Sequence, residues 1–236
     1  MERLCRHMLI VACALAFSSC AVFRIPGDPR YHAGVANPTG YEPEGTLEEC
    51  VYSCSVKGPS SRRMLVYLPK GYHDTGKRYP VLYLFHGARG YETSWVKNGR
   101  MLEITDSLVR EGLAEPCIVV MTNMNQYRDD KDYDGSRYKS MVESVLEIDG
   151  AVESSFMNDV VSYVDSHYNT IDSKEMRAVA GLSLGGLQSM NISANNPRSF
   201  AYVGLFSPAC GVIRKPGPYS SFYRARRKKQ SVQFSE

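Results

Sequence analysis

The chain has 236 residues, of which 43% are hydrophobic and 22% charged, and a formal net charge of +3. That length and balance fit one sizeable globular domain and are short for two. Residues 214–236 carry seven Lys or Arg against the single acid Glu236. The positive balance therefore belongs to that end and gives no ground for a basic, nucleic-acid-binding face on the folded body.

The first residues read as a targeting segment. Arg3, Arg6 and His7 form a positive start, a short apolar stretch runs from Met8 to Phe17, and Ser18-Ser19-Cys20 follows. The stretch is too short for a membrane span and fits a signal peptide over residues 1–19. Small residues before a cysteine resemble a bacterial lipobox, which would make Cys20 the lipidated first residue of the mature chain and the membrane a partner through that anchor. The expected location is the bacterial cell envelope, lipid-anchored or else periplasmic or secreted. Residues 20–45, rich in Gly, Pro, Asn and Tyr without apolar periodicity, read as a tether.

From residue 46 strands alternate with helices. Residues 51–56 and 64–68 read as two strands around a polar turn containing Gly58-Pro59-Ser60-Ser61. Residues 80–85 are a continuous apolar run of the kind found in buried parallel strands. Met101, Leu102, Thr105, Leu108 and Val109 follow helical spacing, with Gly112 near the stop. Residues 117–121 read as another buried strand. Phe156, Val160, Val161, Val164 and Tyr168 mark one face of a second helix. Residues 177–181, 184–194 and 201–207 read as strand, helix and strand. The alternation predicts an α/β domain with a mostly parallel sheet and helices on both faces.

Between strand and helix, the polar stretch 123–150 carries Asp129, Asp130, Asp132 and Asp134. It lacks the calcium-loop pattern of Gly at six and Glu at twelve and reads as a solvated loop. Cys50, Cys54, Cys117 and Cys210 show no metal-ligand spacing and read as small buried thiols. No cofactor is implied.

One run carries chemistry. Gly181-Leu182-Ser183-Leu184-Gly185 follows a short apolar strand and opens a helix, the setting of the G-x-S-x-G turn that holds a serine hydroxyl out at its tip. A serine needs a base to become a nucleophile. A second run, Leu84-Phe85-His86-Gly87-Ala88-Arg89-Gly90, ends the third strand in an open glycine-rich loop. Acyl transfer needs N–H donors aimed at a developing oxyanion. Leu184 and Ala88 are the candidate donors, with Arg89 next. His86 reads as a structural side chain beside that loop, and His167 as a surface or structural residue. Trp95 reads equally as a pocket wall or as core.

These runs, with Arg63-Met64-Leu65-Val66-Tyr67-Leu68-Pro69 and Tyr79-Pro80-Val81-Leu82-Tyr83, resemble the esterase family of α/β-hydrolases that includes feruloyl and acetylxylan esterases, enterochelin-type esterases, S-formylglutathione hydrolases and mycolyltransferases. The resemblance covers roughly residues 45–211, with the domain itself set at 46–211, and is nearest to the feruloyl and acetylxylan esterases. It implies an α/β-hydrolase fold, Ser183 as nucleophile, the N–H groups of Leu184 and Ala88 as oxyanion donors, and ester-bearing carbohydrate as substrate. Siderophore-ester hydrolysis and acyl transfer are the alternative reactions. The family's acid and histidine follow the sixth strand, with further strands after it. Here all five histidines, His7, His32, His73, His86 and His167, precede Ser183, and Glu236 is the only later acid. The expectation is an esterase domain truncated after the sixth strand, a basic non-native tail over 212–236 and impaired activity. A non-catalytic envelope binding protein or a decayed fragment is the alternative from another class.

Overall fold

The computed structural model describes residues 40–55, 61–88, 90–124 and 155–209. Residues 1–39 with Cys20, Arg89, the polar stretch from residue 125 to 154, Cys210 and the basic end lie outside the described residues.

Among the described residues, six strands form one sheet: β1 (Thr46–Ser53), β2 (Ser61–Leu68), β3 (Val81–Phe85), β4 (Ile118–Thr122), β5 (Arg177–Leu182) and β6 (Tyr202–Phe206), in the order β1-β2-β4-β3-β5-β6. β2 runs antiparallel to both β1 and β4, and β4, β3, β5 and β6 are mutually parallel. The helices are α1 (Tyr72–Thr75), α2 (Ser94–Lys97), α3 (Met101–Arg110), α4 (Ser162–His167, entered through a π-helical turn at Met157–Val161) and α5 (Leu184–Asn195).

The apolar runs of β3 and β4 are explained by burial on both faces. Val81, Tyr83, Phe85, Ile118, Val120 and Val179 point to one layer, filled by Phe156, Val160, Val164, Ile192 and Phe200. Leu82, Leu84, Val119, Met121, Ala178 and Ala180 point to the other, filled by Trp95, Val96, Met101 and Leu102. Trp95 is buried and meets Phe206 edge-on, with ring centroids 6.5 Å apart, so it is a core residue. Arg177, at the start of β5, is buried against Asp165 of α4 and lies 2.6 Å from Asp172, which ties the helix to the sheet.

β1 and β2 begin earlier than their apolar patterns suggest. The segment Leu47-Glu48-Glu49 carries no alternation, yet it pairs with Tyr67, Val66 and Leu65 as an outer strand among the described residues. The residues just before β1 also make fixed contacts. Tyr41 donates to Asp106 Oδ2 at 3.0 Å, and the Glu44 N–H donates to the same oxygen at 2.8 Å. Tyr67 donates to the other carboxylate oxygen. The last residues of the expected tether are thus held against α3. Cys50, Cys54 and Cys117 are free thiols, and burial pushes the Cys117 thiol up to about 12.

Candidate active site

β5 delivers the chain to Ser183, which adopts φ 54° and ψ −108° before α5 begins at Leu184. A non-glycine side chain rarely takes this conformation, so the turn stores strain that its surroundings must hold. Three hydrogen bonds hold it. The Ser183 N–H donates to the Phe206 carbonyl at 2.8 Å, and the Ser183 carbonyl accepts from Leu187 N–H at 3.1 Å and Ala209 N–H at 3.0 Å. The flanking glycines allow the close approach. A methyl group on Gly181 would lie 2.4 Å from the backbone of Gly185, and one on Gly185 would lie 2.4 Å from the His86 carbonyl oxygen. The expected strand-turn-helix around Ser183 is therefore present, pressed against the end of β3.

That contact brings the second run to the first. A methyl group on Gly87 would sit 3.7 Å from Ser183 Cβ and 3.5 Å from the Leu182 carbonyl oxygen. The Gly87–Ala88 peptide thus lies beside the serine, and Ser183 and Ala88 are each half-buried. Leu184 opens α5, where N–H groups have no carbonyl one turn back within the helix. The two expected donors and the serine are brought together.

His86 is buried and committed elsewhere. The Met124 N–H donates to its Nε2 at 3.0 Å, so Nε2 is an acceptor and Nδ1 carries the proton. Nδ1–H then donates to the Gly87 carbonyl at 2.7 Å. Burial lowers its pKa to about 4, opposed by the bond to Gly87. His167 is stacked on Tyr163 and bonded to Ser166 and to the Tyr163 carbonyl. His73 sits 4.0 Å from Glu48 of β1.

Two buried polar residues near the site escaped sequence reasoning. Gln188, one turn into α5, donates to the Met124 carbonyl at 3.0 Å. Glu92, four residues past Ala88, is buried and paired with Arg63 at 3.0 Å, and burial raises its pKa. Neither lies in a motif, so only the packed fold reveals them.

Residues 55–231 match the family described as "Putative esterase". An endo-1,4-beta-xylanase/feruloyl esterase of Xylanibacter ruminicola is 37% identical over 147 residues, 60% of this chain and 19% of that protein. An endo-1,4-beta-xylanase Y of Acetivibrio thermocellus is 28% identical over 162 residues, 64% of this chain and 13% of that protein. The solved CE1 ferulic acid esterase of Anaeromyces mucronatus, in complex with ferulic acid, superposes with a TM-score of 0.60 at 27% identity, covering 77% of this chain and 63% of that one. The chain thus spans less than a fifth of the two xylanases and under two thirds of the solved esterase. With a match over three quarters of its length and this sheet order, the chain belongs to the "Putative esterase" family and has the α/β-hydrolase fold.

Proposed function

We propose that the chain is a serine carboxylic ester hydrolase acting on carbohydrate-linked esters, the feruloyl or acetyl groups of plant polysaccharide. One observation carries this reading: Ser183 is held in a strained turn with the Gly87–Ala88 peptide packed beside it. The substrate class is suggested by the relatives named feruloyl esterase.

In this reading Ser183 Oγ attacks the ester carbonyl as a base takes its proton. The Leu184 and Ala88 N–H groups stabilise the oxyanion. The sugar alcohol leaves with a proton, and water then attacks the acyl-enzyme to release the carboxylic acid and restore Ser183. Of the three described histidines, His86 has both ring nitrogens engaged, His167 is stacked on Tyr163 and His73 lies beside Glu48 of β1, and no histidine follows Ser183 within these 236 residues. Losing the base of a serine triad costs on the order of 10⁶ in turnover and leaves roughly 10³–10⁴ over water. These 236 residues acting alone are therefore expected to turn over slowly.

The test uses an activated aryl ester and an alkyl fluorophosphonate on this chain, on Ser183→Ala and on a form extended by a downstream Asp and His. Fast turnover by the extended form, lost in its Ser183→Ala variant, supports the reading. No turnover by either form, with ferulate still bound, favours the second reading, a binding protein for the same esters. The engagement of both His86 ring nitrogens is what keeps that second reading open. The same proposal places the protein in the cell envelope, held by lipid on Cys20.

A further inference from the structure

The Gly87 carbonyl accepts two hydrogen bonds, from His86 Nδ1–H at 2.7 Å and from the Gly90 N–H at 3.0 Å. In a trans peptide the C=O and the following N–H point in opposite directions. Fixing the Gly87 carbonyl therefore fixes the direction of the Ala88 N–H. The other ring nitrogen, Nε2, accepts from the Met124 N–H at 3.0 Å, and the Met124 carbonyl accepts from Gln188 Nε2 at 3.0 Å. Gln188 lies one turn after Leu184 on α5. The bonds form an unbroken line from the Ala88 peptide, through His86 and the end of β4, to the helix that carries the Leu184 N–H. His86, Met124 and Gln188 are all buried, so water does not compete for these bonds.

We propose that His86 is a positioning residue that aims the Ala88 N–H and, with Gln188, sets the spacing between the two oxyanion donors. This rests on the esterase reading above. His86 touches no substrate in this role. It acts by holding a peptide plane, and it needs one ring donor toward Gly87 and one ring acceptor toward Met124. Asparagine places an amide nitrogen as many bonds from Cα as Nδ1 is, so it can restore the bond to Gly87. Alanine and leucine restore nothing. Removing one oxyanion donor costs roughly 10²–10³ in rate. A donor that is misaimed rather than removed should cost less, about 10- to 100-fold.

The experiment measures the rate at which an alkyl fluorophosphonate labels Ser183 in the full chain and in His86→Ala, His86→Asn, Gln188→Leu and Ser183→Ala. It also records ferulate affinity, the melting curve and the ¹⁵N–¹H resonance of Ala88. The expected result is labelling about 10- to 100-fold slower in His86→Ala with ferulate affinity unchanged, most of the rate recovered in His86→Asn, and a loss of several-fold in Gln188→Leu. Equal rates in all four folded proteins that retain Ser183, or His86→Asn as slow as His86→Ala, overturn the proposal while leaving the esterase reading intact. If His86→Ala does not fold, the other two variants decide. A near-normal asparagine variant with a slowed leucine variant supports it, and any other pattern overturns it. If the unmodified chain is labelled too slowly to measure, as the lack of a base allows, the Ala88 resonance decides the positioning. A shifted or doubled signal on losing the His86 side chain supports it, and an unchanged one overturns it.

Discussion

The Ser183 N–H donates to the carbonyl of Phe206 at 2.8 Å, so the strained turn is fastened by the strand that follows it in the sheet. Strain at a backbone angle of φ 54° persists only while such bonds over-determine it. Replacing Ser183 with Gly relieves the strain and keeps the backbone bonds. Ser183→Gly should be more stable than Ser183→Ala by about 1 kcal/mol in urea unfolding. Both variants should lose fluorophosphonate labelling. Equal stabilities would mean that the turn is not strained.

Gly185 has no such choice. A methyl group there would fall 2.4 Å from the His86 carbonyl oxygen and 2.6 Å from that of Phe85. Both are backbone atoms at the end of a buried strand, so neither can move alone. Gly185→Ala should destabilise the chain by about 2 kcal/mol or more, read as a lower urea midpoint. A midpoint within error of the parent would show that β3 and α5 separate easily.

The His86 ring makes stability depend on pH. Its folded-state pKa of about 4 lies below the ordinary value of 6.5, because burial disfavours the charged ring. Between those two values the unfolded chain binds the proton more readily than the folded one. Stability should therefore rise with pH across this window, be fully present above it, and fall toward its acid end by on the order of 3 kcal/mol. His86→Asn should flatten that part of the urea-derived curve. Parallel curves would place the acid sensitivity elsewhere.

Asp106 joins three parts of the chain. It accepts from Tyr41, from the Glu44 N–H and from Tyr67, whose hydroxyl is pushed well above the ordinary phenol range by burial and by this carboxylate. Asp106→Ala leaves the buried Tyr67 hydroxyl without its acceptor and removes two of the bonds that hold residues 41–44, the Glu44 pairs with Lys70 and Arg110 remaining. The expected cost is about 1–3 kcal/mol, with faster proteolysis around residue 44. Unchanged cleavage there would show that the segment is held by other contacts.

Lipid on Cys20 would move the chain to the membrane fraction, and Cys20→Ala should release it. A single acyl chain binds weakly, and several hold firmly. Equal partitioning of the two forms would remove the anchor from the proposal.

Local sequence was enough to indicate the α/β pattern, the buried strands β3, β4 and β5, and the turn at Ser183. Each of these is written in neighbouring residues, as continuous apolar runs for strands covered on both faces and as glycines where two backbones nearly touch. Tertiary structure decided the rest. The polar start of β1 becomes a strand only because β2 offers it a partner. Tyr41 and Glu44 are held in part by Asp106, more than sixty residues away, which receives their hydrogen bonds. His86 reads from the sequence as a structural side chain, but its partners, the Gly87 carbonyl and the N–H of Met124, 38 residues away, appear only in the packed chain. No local pattern encodes such partners, because a buried polar group takes whichever donor or acceptor the packed chain brings within reach.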